Sequence, residues 1–177
     1  PARSELFDSL NENPRAVDVL VKLFAGSQYL SEILLRDPAY FSRLLGETRL
    51  AAKKTPEQYT HDAWSTLEAE NSYEGRLDAV RRYQRFELLR IGTCDLLDYY
   101  DLANATRQLS HLAIGIIRAC LRLVCHTYHL EEADFVVIGM GKLGGKELNY
   151  SSDIDLLFLS LSEESGNSQH TGERLVD

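Results

Sequence analysis

Two short apolar runs late in the chain, Phe135 to Ile138 and Ile154 to Leu161, are joined by the segment GMGKLGGKELNYSSD, and the shortness of that segment limits what the runs can build. Gly139, Gly141 and Gly144 spell G-x-G-x-x-G after a β-branched run, the fingerprint of a dinucleotide-binding turn. Such a turn opens a full crossover helix, and its acidic partner lies about 20 residues on, at the far end of the next strand. Here only about nine residues separate Gly144 from the next run, and Gly145, Asn149, Ser151 and Ser152 make a poor helix. The acidic residues also stand at the head of the second run rather than at its end. A Walker A loop fails more plainly, since Lys142 precedes Leu143 and Lys146 precedes Glu147 where Ser or Thr is required. The NAD-type turn stays as an alternative that nucleotide binding without metal would favour.

The second signal in the stretch is Asp153-Ile154-Asp155. On a strand, residues i and i+2 share a face, so the two carboxylates are expected side by side with Ile154, Leu156 and Phe158 facing the other way. Two like charges about 4 Å apart, at an effective dielectric near 20, repel by roughly 4 kcal/mol and call for a cation. Hard oxygen ligands without nearby cysteine favour Mg²⁺ or Mn²⁺, and Mg²⁺ takes its remaining oxygens from water and substrate phosphates. Gly144 and Gly145 then read as a loop offering N–H groups to a phosphate tail, with Lys142 adding a point charge. The plainer alternative is a turn or cap carboxylate pair.

Upstream the pattern is helical. Asn13-Pro14, Asp37-Pro38 and Thr55-Pro56 each set a capping side chain before a proline at the first helical position, and Gly26 and Gly46 sit where two helices should stop. Short helices are expected at about Pro14–Ala25, Ser27–Arg36, Pro38–Leu45 and Pro56–Glu70, the first with Val17, Leu20, Val21 and Phe24 on its apolar face. Longer ones follow at about Tyr73–Tyr99 and Asn104–His129, the second with a wide apolar stripe from Leu109 to Val124. The fold class is therefore α+β. A mostly helical region, residues 1–130, precedes residues 131–177, the start of a domain with a small mixed sheet. Two buried strands, a polar loop from Ser162 to Thr171 and a final GERLVD are too few for a stable sheet, so that domain is expected to be truncated.

A formal charge of -8 argues against a general nucleic-acid surface, which needs a basic patch. No run of consecutive apolar residues approaches the roughly 20 needed to span a bilayer, so no membrane role is expected and the chain is read as cytoplasmic. Cys94, Cys120 and Cys125 fall inside helices and read as core residues of a reducing compartment. Arg81, Arg82, Arg85 and Arg90 read as a solvated helix stripe, with phosphate binding as the alternative. Cys125, His126 and His129 fall short of a zinc site. Trp64, Tyr83, Tyr99 and Tyr100 read as packing residues, and His111 as a satisfied helix-face histidine.

The string GMGKLGGKELNYSSDIDLLF resembles the nucleotidyltransferase signature of the glutamine synthetase adenylyltransferase/adenylyl-removing family, within the polymerase β-type superfamily. RRYQRFELLRIGTCDLL and LSHLA resemble that family's helical lead-in. The resemblance implies a fragment of the bifunctional enzyme that attaches AMP to a tyrosine of glutamine synthetase and removes it. Asp153 and Asp155 would bind Mg²⁺, with Mn²⁺ as a substitute, and Gly144, Gly145, Ser152 and Lys142 would hold the phosphates of ATP or ADP. It further implies glutamine synthetase and a PII-type nitrogen regulatory protein as partners. GMGKLGG and LNYSSDID are more similar to the N-terminal, deadenylylating copy. No V-D-x-R-L-R-P motif supplies the family's third carboxylate, and Asp177 is not assigned that role, so the chain alone is expected to be inactive. The alternative is a non-catalytic helical module that docks glutamine synthetase or the regulatory protein.

Overall fold

The computed structural model describes Leu10 and residues 14–160. Asn13, the loop from Ser162 to Thr171 and Leu175–Asp177 lie outside the described residues. Within them run six helices of eight residues or more: α1 (Pro14–Gly26), α2 (Gln28–Arg36), α3 (Ala39–Gly46), α4 (Pro56–Glu68), α5 (Tyr73–Leu96) and α6 (Leu102–Tyr128). A 3-10 turn (Glu132–Asp134), strand β1 (Phe135–Gly139), the single-turn α7 (Gly141–Gly144) and strand β2 (Leu156–Ser160) complete the order. The α+β class holds, and of the expected mixed sheet the described residues supply one antiparallel pair.

Side-chain chemistry sets these boundaries. Ser27 caps α2 by accepting the Leu30 N–H at 3.3 Å, and Asp37 Oδ1 accepts the Ala39 N–H at 3.2 Å at the start of α3. Thr55 and Gln58 form a reciprocal capping box on α4, with Pro56 in its first turn. Asp101 Oδ1 accepts the Asn104 N–H at 2.7 Å, so α6 begins two residues earlier than its apolar stripe suggests. Asp98 at φ 59° and His129 at φ 55° take left-handed conformations just past the ends of α5 and α6, and such a residue terminates a helix.

The chain divides into two compact units, Pro1–Lys53 with Gln84–Ala105, and Lys54–Tyr83 with Thr106–Asp177. In the first, Leu23, Leu30, Ile33, Leu34, Phe41 and Leu44 pack with Phe86 and Leu89 into one apolar core. The face of α1 turned to this core is not the expected one. Ala16 and Leu23 are buried and, of the expected face, Leu20 packs against the core, while Val17, Val21 and Phe24 are exposed. Nor is Arg90 part of a solvated stripe. It is 1% exposed, with Nε donating to the equally buried Glu87 Oε2 at 2.7 Å and Nη1 to the carbonyls of Leu50 and Ala52 at 2.8 and 3.2 Å. Arg81 and Arg82 do pair at the surface, with Asp78 and Glu70.

The second unit is built around α6. Gly115 lets α4 approach so closely that a Cβ there would lie 2.4 Å from Tyr59 Cβ and 2.9 Å from the Thr60 backbone nitrogen. Gln108, fully inside, accepts the Lys54 N–H and the Tyr59 hydroxyl proton, each at 2.9 Å, and donates to Lys54 O at 3.0 Å. His111 Nδ1 bonds the same carbonyl at 3.1 Å, which makes it the satisfied histidine expected. Trp64 lies under the Arg122 guanidinium at 4.1 Å. By length and composition α6 is long and apolar enough to cross a bilayer, a property that counting consecutive apolar residues missed. On that helix Leu109, Leu112, Leu123 and Val124 are buried beside Gln108 and Ser110.

Candidate phosphate and metal site

Strands β1 and β2 pair from Phe135↔Ser160 to Gly139↔Leu156, and the ladder runs one step further where the Met140 N–H donates to Asp155 O at 2.9 Å. Beyond Met140 the first strand turns into α7, so the ladder stops at Asp155 O and the residues before it have no strand opposite them. Asp153 and Asp155 therefore stand just before β2 rather than inside it, and both are exposed. Neither strand is buried on both faces. Phe135, Val137, Leu156 and Phe158 are half-buried, whereas Val136, Ile138, Leu157 and Leu159 are exposed, the alternation of a sheet covered on one side.

The glycines of the turn have separate jobs. Gly141 adopts φ +51°, a conformation that L side chains rarely take, and its position faces Asp155: a Cβ there would lie 3.5 Å from Asp155 Oδ2. Gly144 sits against β1, where a Cβ would lie 2.6 Å from Gly139 O. Gly145 is under no such demand, since its Cβ would meet only the Glu147 side chain at 3.6 Å. The three-glycine pattern thus folds a tight strand-to-helix turn without a crossover helix behind it.

The N–H groups of Gly144 and Gly145 are donated to Met140 O and Gly141 O at 3.0 and 3.1 Å. What these two residues leave for a ligand is open surface rather than spare donors. Lys142 is exposed on the same turn. Gly144 and Lys146 also border a largely apolar groove of about 590 Å³ lined by Ile114, Ile117 and Leu121 of α6 and by Phe135, Val137 and Leu156 of the sheet.

Ser152 is half-buried and already engaged: its hydroxyl donates to Asn149 Oδ1 at 2.8 Å and accepts the Asn149 N–H at 3.2 Å. Asn149 Oδ1 also accepts the Ser151 N–H at 3.1 Å, and Asn149 O the Ser152 N–H at 3.2 Å. Asn149 is thus the hinge pin of the loop, and reading for charged and glycine residues overlooked it. The signal was present, because an Asn two residues before a Ser commonly closes a side-chain turn. Ser110 was overlooked too, as a lone hydroxyl inside an apolar helix stripe. Its Oγ accepts the Leu148 N–H at 3.1 Å.

The structure thus brings together Asp155, Gly141 and the Met140 backbone, and joins Ser152 to Asn149. Asp153 follows directly on that Asn149 turn. Among the described residues no group of three or more His, Cys, Asp or Glu side chains is placed to hold a metal. Cys125 is buried while His126 and His129 are exposed.

A protein-family model described as glutamate-ammonia ligase adenylyltransferase matches residues 17–176. A Chromobacterium violaceum protein is 33% identical over 161 residues, covering 89% of this chain and 18% of that protein. A Pasteurella multocida protein is 32% identical over 181 residues (94% and 18%), and one from Thioalkalivibrio sulfidiphilus 29% over 191 residues (99% and 20%). All three are named bifunctional glutamine synthetase adenylyltransferase/adenylyl-removing enzyme. The chain spans about a fifth of the length of these relatives.

Proposed function

The chain belongs to the glutamate-ammonia ligase adenylyltransferase family, and from that premise we propose that it carries part of a Mg²⁺-dependent site that moves AMP on or off a tyrosine of glutamine synthetase. The observation that supports this best is the seat of Asp155, its carbonyl tied to Met140 N–H and its carboxylate over Gly141 at the glycine turn. Two exposed hard-oxygen donors suit Mg²⁺, or Mn²⁺, which completes its shell with water and phosphate oxygens rather than with an all-protein cage. A bound metal would supply Lewis-acid neutralisation of the phosphate charge, with Asp153 and Asp155 as the residues that would hold it.

The chain's own residues do the rest. Asp153 and Asp155 hold the cation, the open surface at Gly144 and Gly145 admits the phosphate tail of ATP or ADP, and Lys142 adds a positive charge beside it. Ser152, already oriented by Asn149, offers its hydroxyl at the start of the aspartate pair. Within the bifunctional enzyme we place the chain in the deadenylylating half, where phosphate attacks the tyrosyl-AMP bond, on the strength of GMGKLGG and LNYSSDID. We read residues 1–130 as the helical region and residues 131–177 as the opening of the nucleotidyltransferase domain, a sequence division that cuts across the second compact unit. The protein is cytoplasmic, and a PII-type regulator is a partner.

Asp153→Asn tests the site. It leaves the exposed loop intact and abolishes Mg²⁺-dependent AMP transfer or release by the enzyme that carries this chain. Full activity in that variant removes the metal role. The 177-residue chain alone is inactive, and measurable turnover by it would contradict a missing third carboxylate.

A second function, docking of glutamine synthetase, is favoured by the half-exposed Val17, Val21 and Phe24 on one face of α1. Val21→Asp would then weaken capture of glutamine synthetase by this chain, and equal capture would dismiss it.

A further inference from the structure

We propose that Ser110 is a positioning residue for the aspartate pair, fixing from α6 the loop that carries Asp153 and Asp155. This rests on the metal role proposed for those two carboxylates. Ser110 is 0% exposed, and its Oγ donates to Thr106 O at 2.8 Å while accepting the Leu148 N–H at 3.1 Å. The first bond is what a mid-helix serine ordinarily makes. The second is not local, since it crosses from the helix to the loop.

Leu148 is the one buried residue between Gly144 and Asp155; its neighbours on either side are exposed or half-buried. Leu148 is therefore the loop's buried anchor, and the hydrogen bond from its N–H ends on Ser110. From there each step toward the site is short and fixed. Leu148 adjoins Asn149, whose side chain and carbonyl hold Ser151 and Ser152 at 3.1 and 3.2 Å, and Ser152 adjoins Asp153. At the far end the Met140 N–H holds Asp155 O at 2.9 Å. A loop pinned at both ends sets two carboxylates at a repeatable separation, which a small octahedral cation demands.

The same turn of α6 carries Gln108 and His111, which grip the Lys54 backbone. One helical turn therefore anchors two segments of the unit, and Ser110 is its branch toward the site.

The test uses the 177-residue chain with Mn²⁺ as the probe, titrated by electron paramagnetic resonance, and amide hydrogen exchange read by NMR. Ser110→Ala removes the acceptor, Asn149→Ala loosens the next step from the solvent side, and Leu123→Ala opens a cavity elsewhere on α6. With Ser110→Ala, exchange at Leu148 rises about tenfold or more. Mn²⁺ affinity falls about 10-fold or more in both Ser110→Ala and Asn149→Ala, the size expected for groups that orient metal ligands. Leu123→Ala leaves Mn²⁺ affinity unchanged, although it destabilises the helix. Wild-type affinity in Ser110→Ala, unchanged exchange at Leu148, or an equal loss of affinity in Leu123→Ala each overturns the role of Ser110 alone. No Mn²⁺ binding by the wild-type chain overturns the metal role itself, and the role of Ser110 with it.

Discussion

Asp155 holds its carboxylate over the one described glycine with a left-handed backbone: a Cβ on Gly141 would stand 3.5 Å from Asp155 Oδ2, with Gly141 at φ +51°. That distance is an ordinary contact, so the steric demand at Gly141 comes from its backbone. An L-residue there costs about 1–2 kcal/mol. Gly141→Ala is expected to lower the midpoint of thermal unfolding by about 2–8 °C. Relief of the strain by local rearrangement would displace Asp155, so the same variant should bind Mn²⁺ more weakly than wild type. A melting curve and a metal titration on one sample check both effects.

Gly144 and Gly145 are adjacent yet respond differently. A Cβ on Gly144 would lie 2.6 Å from Gly139 O, a backbone atom fixed in the ladder, so Gly144→Ala must push β1 and α7 apart. Destabilisation of about 1–3 kcal/mol is expected, as for other overpacked sites. Gly145 has φ -75° and free space, and Gly145→Ala should be neutral or stabilising by about 0.4–1 kcal/mol. If a phosphate tail approaches at Gly145, the alanine variant melts at or above the wild-type temperature and binds ATP or ADP more weakly. Unchanged nucleotide affinity in a stable Gly145→Ala chain would take Gly145 out of the site.

Much of this architecture is legible in the residues themselves. Thr55-Pro56 with Gln58 announces α4 through its caps, and the stripe from Leu109 to Val124 announces α6, because both signals are local and need no knowledge of the partner surface. Two things are not local. Val17, Val21 and Phe24 have the right period but face outward, since the core-facing line of α1 depends on what α2 presents to it. Arg90 belongs to an exposed-looking run of arginines, yet carbonyls 38 and 40 residues away in sequence draw it inside. Asp153 and Asp155 stand out from their chemistry as a candidate pair. Their place before the strand follows from the turn at Met140, which ends the pairing.

Cys94 and Cys125 are buried and Cys120 is half-buried, and all three should behave as poorly reactive thiols. Desolvation raises all three, Cys94 to about 11 against the pull of Arg90, and Cys120 to about 11. A thiol whose folded pKa exceeds its unfolded value stabilises the fold fully below the unfolded value of 9.0, and that contribution disappears as pH rises through the folded value. Stability measured by denaturant is therefore expected to decline between about pH 9 and pH 11. At pH 8 an aromatic disulfide reagent should react slowly with the native chain and promptly with all three cysteines in guanidinium. Rapid native labelling would show that the thiols are accessible.

Glu87 and Arg90 test whether a buried ion pair stabilises this fold or merely specifies it. Both are at least 98% buried, joined at 2.7 Å, and Arg90 Nη1 also meets the Leu50 and Ala52 carbonyls and the Tyr100 hydroxyl. Arg90→Met takes the ion-pair partner from a carboxylate held out of water and should cost about 3–5 kcal/mol. It would also loosen the Leu50–Ala52 turn, whose carbonyls keep the Cys94 thiol and the Tyr100 hydroxyl, so amide exchange should quicken there before it does in α2. Replacing both charges, as in Glu87→Leu with Arg90→Met, removes the buried carboxylate as well and should recover much of the loss, because desolvating two charges offsets most of their attraction. The carbonyls at Leu50 and Ala52 set the limit of that recovery, since methionine cannot donate to them. A double variant as unstable as Arg90→Met alone would show that the carbonyl bonds, not the ion pair, are what Arg90 contributes. Denaturant unfolding of the two single variants and the double variant closes the cycle.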